Sequence, residues 1–171
     1  MTSDVWRAPA LLLLVALLGP GCATRREARD TTPPRAILDE PTRVPIQIVQ
    51  NITLVQVTLN KTHPATLIVD TGAQSTIISP SMVKRLGMTI PTDAPRRRVS
   101  VVGGNKLDVP FVKLGVLDVG GAKVEDIEVG VFDVAPTARG VHGLLGADFL
   151  HRFRLTLDAK EGVLLLEPLQ R

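Results

Sequence analysis

Short apolar runs broken by Gly, Pro, Asn and Asp set the pattern of this chain, which predicts strands and turns more than helices. In Thr53–Leu59 the alternation puts Val55, Val57 and Leu59 on one face, and Asn60-Lys61-Thr62-His63-Pro64 supplies a turn. The next run, Leu67-Ile68-Val69, delivers Asp70 into a turn at Thr71-Gly72, and Ile77-Ile78 carries the chain away. Both flanks have the composition of buried strand, so Asp70 is expected at depth. Ser79-Pro80 followed by Lys84-Arg85 and Gly87 predicts one short helix, with a cap, a first-turn Pro, cations in the last turn and a terminal Gly. Two hairpins follow, one turning at Gly103-Gly104-Asn105 and one at Gly120-Gly121. Gly143–Phe153 predicts an apolar entry, a sharp Gly146 and a short helix, and a closing hairpin turns at residues 158–162. The pattern is that of an all-β domain.

The two ends of the sequence differ from this. Residues 1–21 carry Arg7 and then the run Ala10–Leu18, which is shorter than the roughly 20 residues that span a bilayer and fits an export signal. Cys22 follows Leu18-Gly19-Pro20-Gly21, which resembles the lipobox of bacterial lipoproteins and implies a lipid anchor on Cys22. The alternative is ordinary cleavage after Ala23. Residues 22–45, rich in Arg, Asp, Glu, Thr and Pro, are expected to be a flexible linker, because so few apolar groups cannot offset the entropy of ordering. The folded domain is expected over 46–168, in the bacterial periplasm and held to a membrane.

Composition narrows the chemistry. The net charge is +3, aromatics are 3% of residues and Tyr is absent, which disfavours a nucleic-acid partner. Arg96-Arg97-Arg98 is expected to be a solvated loop. A single Cys excludes an intrachain disulfide, and His63, His142 and His151 lack ligand spacing, so no metal and no cofactor are expected. Ser75, Ser79, Ser81 and Ser100 lack the glycine pattern of a nucleophile elbow. Asp108, Asp118, Asp126 and Asp133 each stand beside polar or turn residues and are expected to be solvated, which leaves Asp70 as the candidate catalytic group.

Val69-Asp70-Thr71-Gly72-Ala73-Gln74-Ser75-Thr76 and, about seventy residues on, Gly143-Leu144-Leu145-Gly146-Ala147-Asp148-Phe149-Leu150 together resemble the retropepsin-like aspartic proteases, in particular their small single-domain bacterial members. The resemblance runs from about Ile46 to Glu167. It implies a closed β-barrel lobe with one or two short helices, in which Leu144, Leu145 and Gly146 cross behind the catalytic loop. The hairpin with Val102, Gly103 and Gly104 resembles the flap that closes over substrate.

The implied activity is hydrolysis of peptide bonds in a peptide or protein substrate. That reaction uses two carboxylates sharing a proton, and the chain has one such motif, so the resemblance implies a homodimer with Asp70 of each copy at the two-fold axis. Thr71 would hydrogen-bond across the axis, and Gly72 would allow close backbone approach to the carboxylates. Ala73 has a methyl where pepsin-like relatives often carry a hydroxyl, which implies a working pH nearer neutral than that of gastric-type enzymes. Asp148 is expected to cap the C-terminal helix. The alternative from another class is a non-catalytic binding or scaffold lipoprotein of the same fold.

Overall fold

The computed structural model describes residues 34–100 and 106–169. The expected Cys22 anchor, the export signal and the flap-tip residues Val102, Gly103 and Gly104 lie outside the described residues.

Among the described residues, eleven strands and two short helices follow one another: β1 (Arg35–Ile37), β2 (Thr42–Val49), β3 (Ile52–Leu59), β4 (His63–Val69), β5 (Ile77–Ile78), α1 (Pro80–Arg85), β6 (Arg96–Ser100), β7 (Lys106–Val119), β8 (Ala122–Val131), β9 (Gly143–Leu145), α2 (Ala147–Leu150), β10 (Phe153–Asp158) and β11 (Val163–Pro168). Hydrogen-bonded neighbours run in the order β10-β11-β2-β3-β4-β9-β5-β8-β7-β6, with β1 on β8. A further β3–β7 pairing, Thr58 with Asp118 and Leu59 with Leu117, joins the two ends of the β3-β4-β9-β5-β8-β7 path into a closed ring.

The period-two pattern explains why the ring closes around a core. Val55, Val57 and Leu59 of β3 point inward as the alternation predicts, and Ala65 and Leu67 of β4, Leu114 and Leu117 of β7, and Val124 and Ile127 of β8 meet them. Two hairpins turn on residues with positive φ, Gln50-Asn51 and Asn60-Lys61. Paired positive φ values suit the right-handed twist of the flanking strands, and Asn tolerates them. Asn60 adds a tie to the neighbouring strand, its Oδ1 accepting from the Gly115 N–H at 2.9 Å.

Two expectations are corrected here. Residues 35–37 and 42–45 stand in strands β1 and β2 rather than in a linker. β1 pairs with β8, Arg152 Nη1 donates to the Pro34 carbonyl at 2.9 Å, and β2 is paired on both sides, with Val44 buried. A low density of apolar residues does not preclude a strand when its backbone groups complete an existing sheet. Arg96–Arg98 likewise form strand β6 rather than a loop. Arg96 pairs with Asp108 at 2.6 Å, and Arg97 pairs with Glu128 while lying 4.3 Å above the Phe111 ring.

Helix α1 forms as its end signals predict. Ser79 Oγ accepts from the Met82 N–H at 3.2 Å, Pro80 opens the first turn, Lys84 and Arg85 stand in the last, and Gly87 exits at φ +67. Met82 and Val83 anchor it to the core.

Candidate active site

Strand β4 ends at Val69, and the next residues turn sharply. Asp70 is half-buried, Thr71 and Gly72 are exposed and Ala73 is half-buried. The expectation of an Asp at depth is therefore corrected: Ala65 and Leu67 of the strand are buried, but Asp70 at its end is only half-buried, next to exposed Thr71 and Gly72. The turn is organised by the carboxylate itself. Asp70 Oδ1 accepts from the Gly72 N–H at 2.9 Å and from the Ala73 N–H at 3.2 Å, and the Ala73 N–H also reaches the Asp70 carbonyl at 3.3 Å. A Cβ on Gly72 would lie 3.3 Å from Asp70 Oδ1, tighter than ordinary contact. Thus one oxygen is occupied by the loop's own amides, and the side chain is oriented without help from a distant residue.

Behind this loop runs β9. It is parallel to β4, pairing Leu144 with Ile68 and Leu145 with Val69, and antiparallel to β5, pairing Leu144 with Ile77. Leu145 is fully buried in the core, whereas Leu144 is half-buried on the opposite face beside Ile68. The loops after β4 and β9 are then stitched together. Asp70 N–H donates to the Leu145 carbonyl at 3.0 Å, Ala147 N–H to the Ala73 carbonyl at 2.8 Å, and Asp148 N–H to the Gln74 carbonyl at 3.2 Å. Gly146 is required where the segments cross: a Cβ there would meet the Ser75 carbonyl carbon at 2.5 Å and the Thr76 nitrogen at 2.8 Å.

Asp148 does not cap α2. The N-cap is Gly146, with no side-chain cap bond, and Asp148 instead faces Thr76 across the crossing. Thr76 is completely buried, so its N–H and hydroxyl both need partners. The N–H donates to Oδ1 and Oδ2 of Asp148 at 2.9 and 2.8 Å, and the hydroxyl donates to Oδ1 at 2.7 Å. Gly146 N–H donates to Thr76 Oγ1 at 3.1 Å, and Phe149 N–H to Asp148 Oδ1 at 2.9 Å. Burial pushes the Asp148 carboxyl above its ordinary range, and the Thr76 and Phe149 donors and nearby Arg152 pull it back.

A further tie was not visible from spacing. His142, just before β9, accepts at Nδ1 from the Thr66 N–H at 3.1 Å and places Nε2 3.1 Å from Arg85 Nη1 of α1. Burial, and then the Arg85 charge, push its pKa down. The sequence signal for Thr76 and Asp148 is a polar residue set inside each of the two apolar runs that must cross. His142 has no comparable signal, because it is recognisable only once β4 and α1 are adjacent.

Of the candidate site residues, the structure joins Asp70 to Leu145 by a backbone hydrogen bond, pairs Leu144 with Ile68 and Ile77, and sets Gly146 against Ser75 and Thr76, while Thr71, Gly72 and Ala73 form the turn around the Asp70 carboxylate. Asp108 and Asp126 stand apart in surface ion pairs with Arg96 and Lys113, and Asp118 accepts from the Gly121 N–H in a hairpin turn. Among the described residues, no group of three His, Cys, Asp or Glu is placed to hold a metal ion.

A family model described as aspartyl protease matches residues 55–149, over half of the chain and both crossing loops. Among solved structures, the fold is similar to that of a retropepsin-like aspartic protease from Rickettsia conorii, at 18% identity and a TM-score of 0.57, covering 78% of this chain and 93% of that one. A search of curated proteins finds no significant match. The matched segment contains the Asp70 turn and the β9 crossing together, and the overall fold is similar to that of the solved structure: the chain belongs to the aspartyl protease family and has the retropepsin-like fold.

Proposed function

We propose that the protein is an aspartic endopeptidase whose active site forms between Asp70 of two copies. The observation that carries this reading is the Asp70 turn, where one carboxylate is fixed by the Gly72 and Ala73 amides at an exposed end of the sheet. Hydrolysis needs a second carboxylate. Two carboxylates about 3 Å apart cannot both ionise, so they share one proton. The ionised Asp70 takes a proton from water as its oxygen attacks the scissile carbonyl carbon, and the protonated Asp70 of the other copy donates to the carbonyl oxygen. A proton then passes to the amide nitrogen as the C–N bond breaks, which releases an acid and an amine.

Cleavage of a peptide library by the wild-type chain and by Asp70→Asn tests the activity. Wild-type cleavage lost in the variant supports it, and equal cleavage by both, or by neither, overturns it. We also propose that the chain is exported to the bacterial periplasm and acylated on Cys22. Mass spectrometry of the mature N-terminus tests this, and an unmodified start at Thr24 would exclude the anchor.

A further inference from the structure

The core-facing stripe of β2 continues past the core. Val44 is 4% exposed, Ile46 is partly buried against the core, and Ile48, next on the same face, is 44% exposed. On the other face of the β2–β3 hairpin, Val49 pairs with Ile52, and these are 51% and 44% exposed. The tip thus shows water an apolar side chain on one face and a pair on the other.

Its position is set by register. β3 pairs with β4 through Leu54 with Ile68, and continuing that register places Ile52 level with Asp70. Leu54 shares a face with Ile68, and on the continued register Ile52 stands at the level of the Asp70 turn, where Thr71 and Gly72 are exposed.

Charge is absent from the same region. Asp, Glu, Lys and Arg make up 22% of the chain, yet residues 44–60 contain none and residues 64–83 contain only Asp70. Across a two-fold axis every residue near the axis faces its own copy, so a fixed charge there meets a like charge. A neutral, apolar surface is self-complementary. The C-terminal strand offers no free edge for this purpose, because β11 is already paired with β10 on one side and β2 on the other.

We infer that the β2–β3 hairpin tip, through Ile48, Val49 and Ile52, is the seal of the homodimer, packing against a second copy beside the Asp70 turn. This rests on the proposed two-copy active site, which a single chain leaves incomplete.

The test uses two full-length variants, Val49→Lys with Ile52→Lys and Val49→Glu with Ile52→Glu. Each alone should sediment as a monomer at concentrations where the wild type is dimeric, with peptidase turnover down about tenfold or more. An equimolar mixture should recover both dimer and turnover, because opposite charges then meet. A milder pair, Val49→Ser with Ile52→Ser, should weaken the dimer about tenfold without adding charge. Either charged variant remaining dimeric and active alone overturns the inference, as does failure of the mixture to recover while circular dichroism stays native. Unchanged dimer and turnover with lost binding to phosphatidylglycerol vesicles would assign the tip to a membrane and likewise overturn it. Failure of the proposed function is separate: the wild type would then be monomeric, with any turnover unaffected by Asp70→Asn.

Discussion

Asp70 and Asp148 both follow an apolar strand that ends in a tight turn, but their surroundings give them opposite tasks. Asp70 takes its amide partners from its own turn and stands at an exposed end of the ring. Asp148 takes partners from Thr76, far away in sequence, and its carboxylate joins the two crossing loops from behind. A carboxylate left with an open side can do chemistry, whereas one surrounded by donors holds structure. The two are connected, because Asp148 fixes Thr76 and Gly146, and these border the loop that carries Asp70.

The contrast can be broken most severely at Asp70. Asp70→Asn should lower peptide cleavage by about a thousandfold or more while leaving the melting temperature nearly unchanged, since the loss is that of a general acid–base group. Steady-state kinetics with a thermal melt checks both halves. The reverse profile is expected at the crossing. Gly146→Ala forces a Cβ into the Ser75–Thr76 backbone and should destabilise the fold by about 3 kcal/mol in denaturant titration. Asp148→Ala strands the buried Thr76 N–H and hydroxyl and should cost about 2 to 3 kcal/mol.

pH provides a finer comparison. The Asp148 carboxyl is raised in the folded state, so its contribution to stability is full below the unfolded value of about 4 and declines as pH rises through the folded value. The stability difference between wild type and Asp148→Asn should therefore fall as pH rises from about 3 into the region above 4. His142 behaves in the opposite sense. Its pKa is lowered, so its contribution is full above about 6.5 and lost as pH falls through the folded value. The corresponding difference for His142→Gln should rise with pH below 6.5 and then flatten, and denaturant titrations across pH check both slopes.

The smallest expected effects are at the periphery. Ala73→Ser places a hydroxyl beside the turn and should move the optimum of the pH–rate profile to lower pH; an unchanged or alkaline-shifted optimum counts against the idea. Arg96→Ala removes an exposed ion pair with Asp108 and should change stability by less than about 1 kcal/mol in the same titrations.

Much of this was legible in the sequence because it is periodic or local. Val55, Val57 and Leu59 announce a strand face, and Ser79, Pro80 and Gly87 announce both ends of α1. The Asp70 turn is legible because an acid between two apolar runs is costly unless it has a task. Less legible were features made by long-range pairing. β1 and β2 contain Arg, Thr and Pro and become strands by completing edges supplied elsewhere. Asp148 looks like a helix cap until Thr76 is known to be buried opposite it, and the exposure of Ile48, Val49 and Ile52 shows only once the paired tip of the β2–β3 hairpin is seen to lie outside the core.

The central claim is that one chain holds half of an active site. Sedimentation equilibrium of the full chain, with peptidase turnover per chain measured over the same concentrations, tests it most directly. Turnover should track the fraction of dimer and be suppressed by excess Asp70→Asn chain, which draws wild-type copies into inactive pairs. Turnover per chain that stays constant through the monomeric range, and is indifferent to added Asp70→Asn, would contradict it.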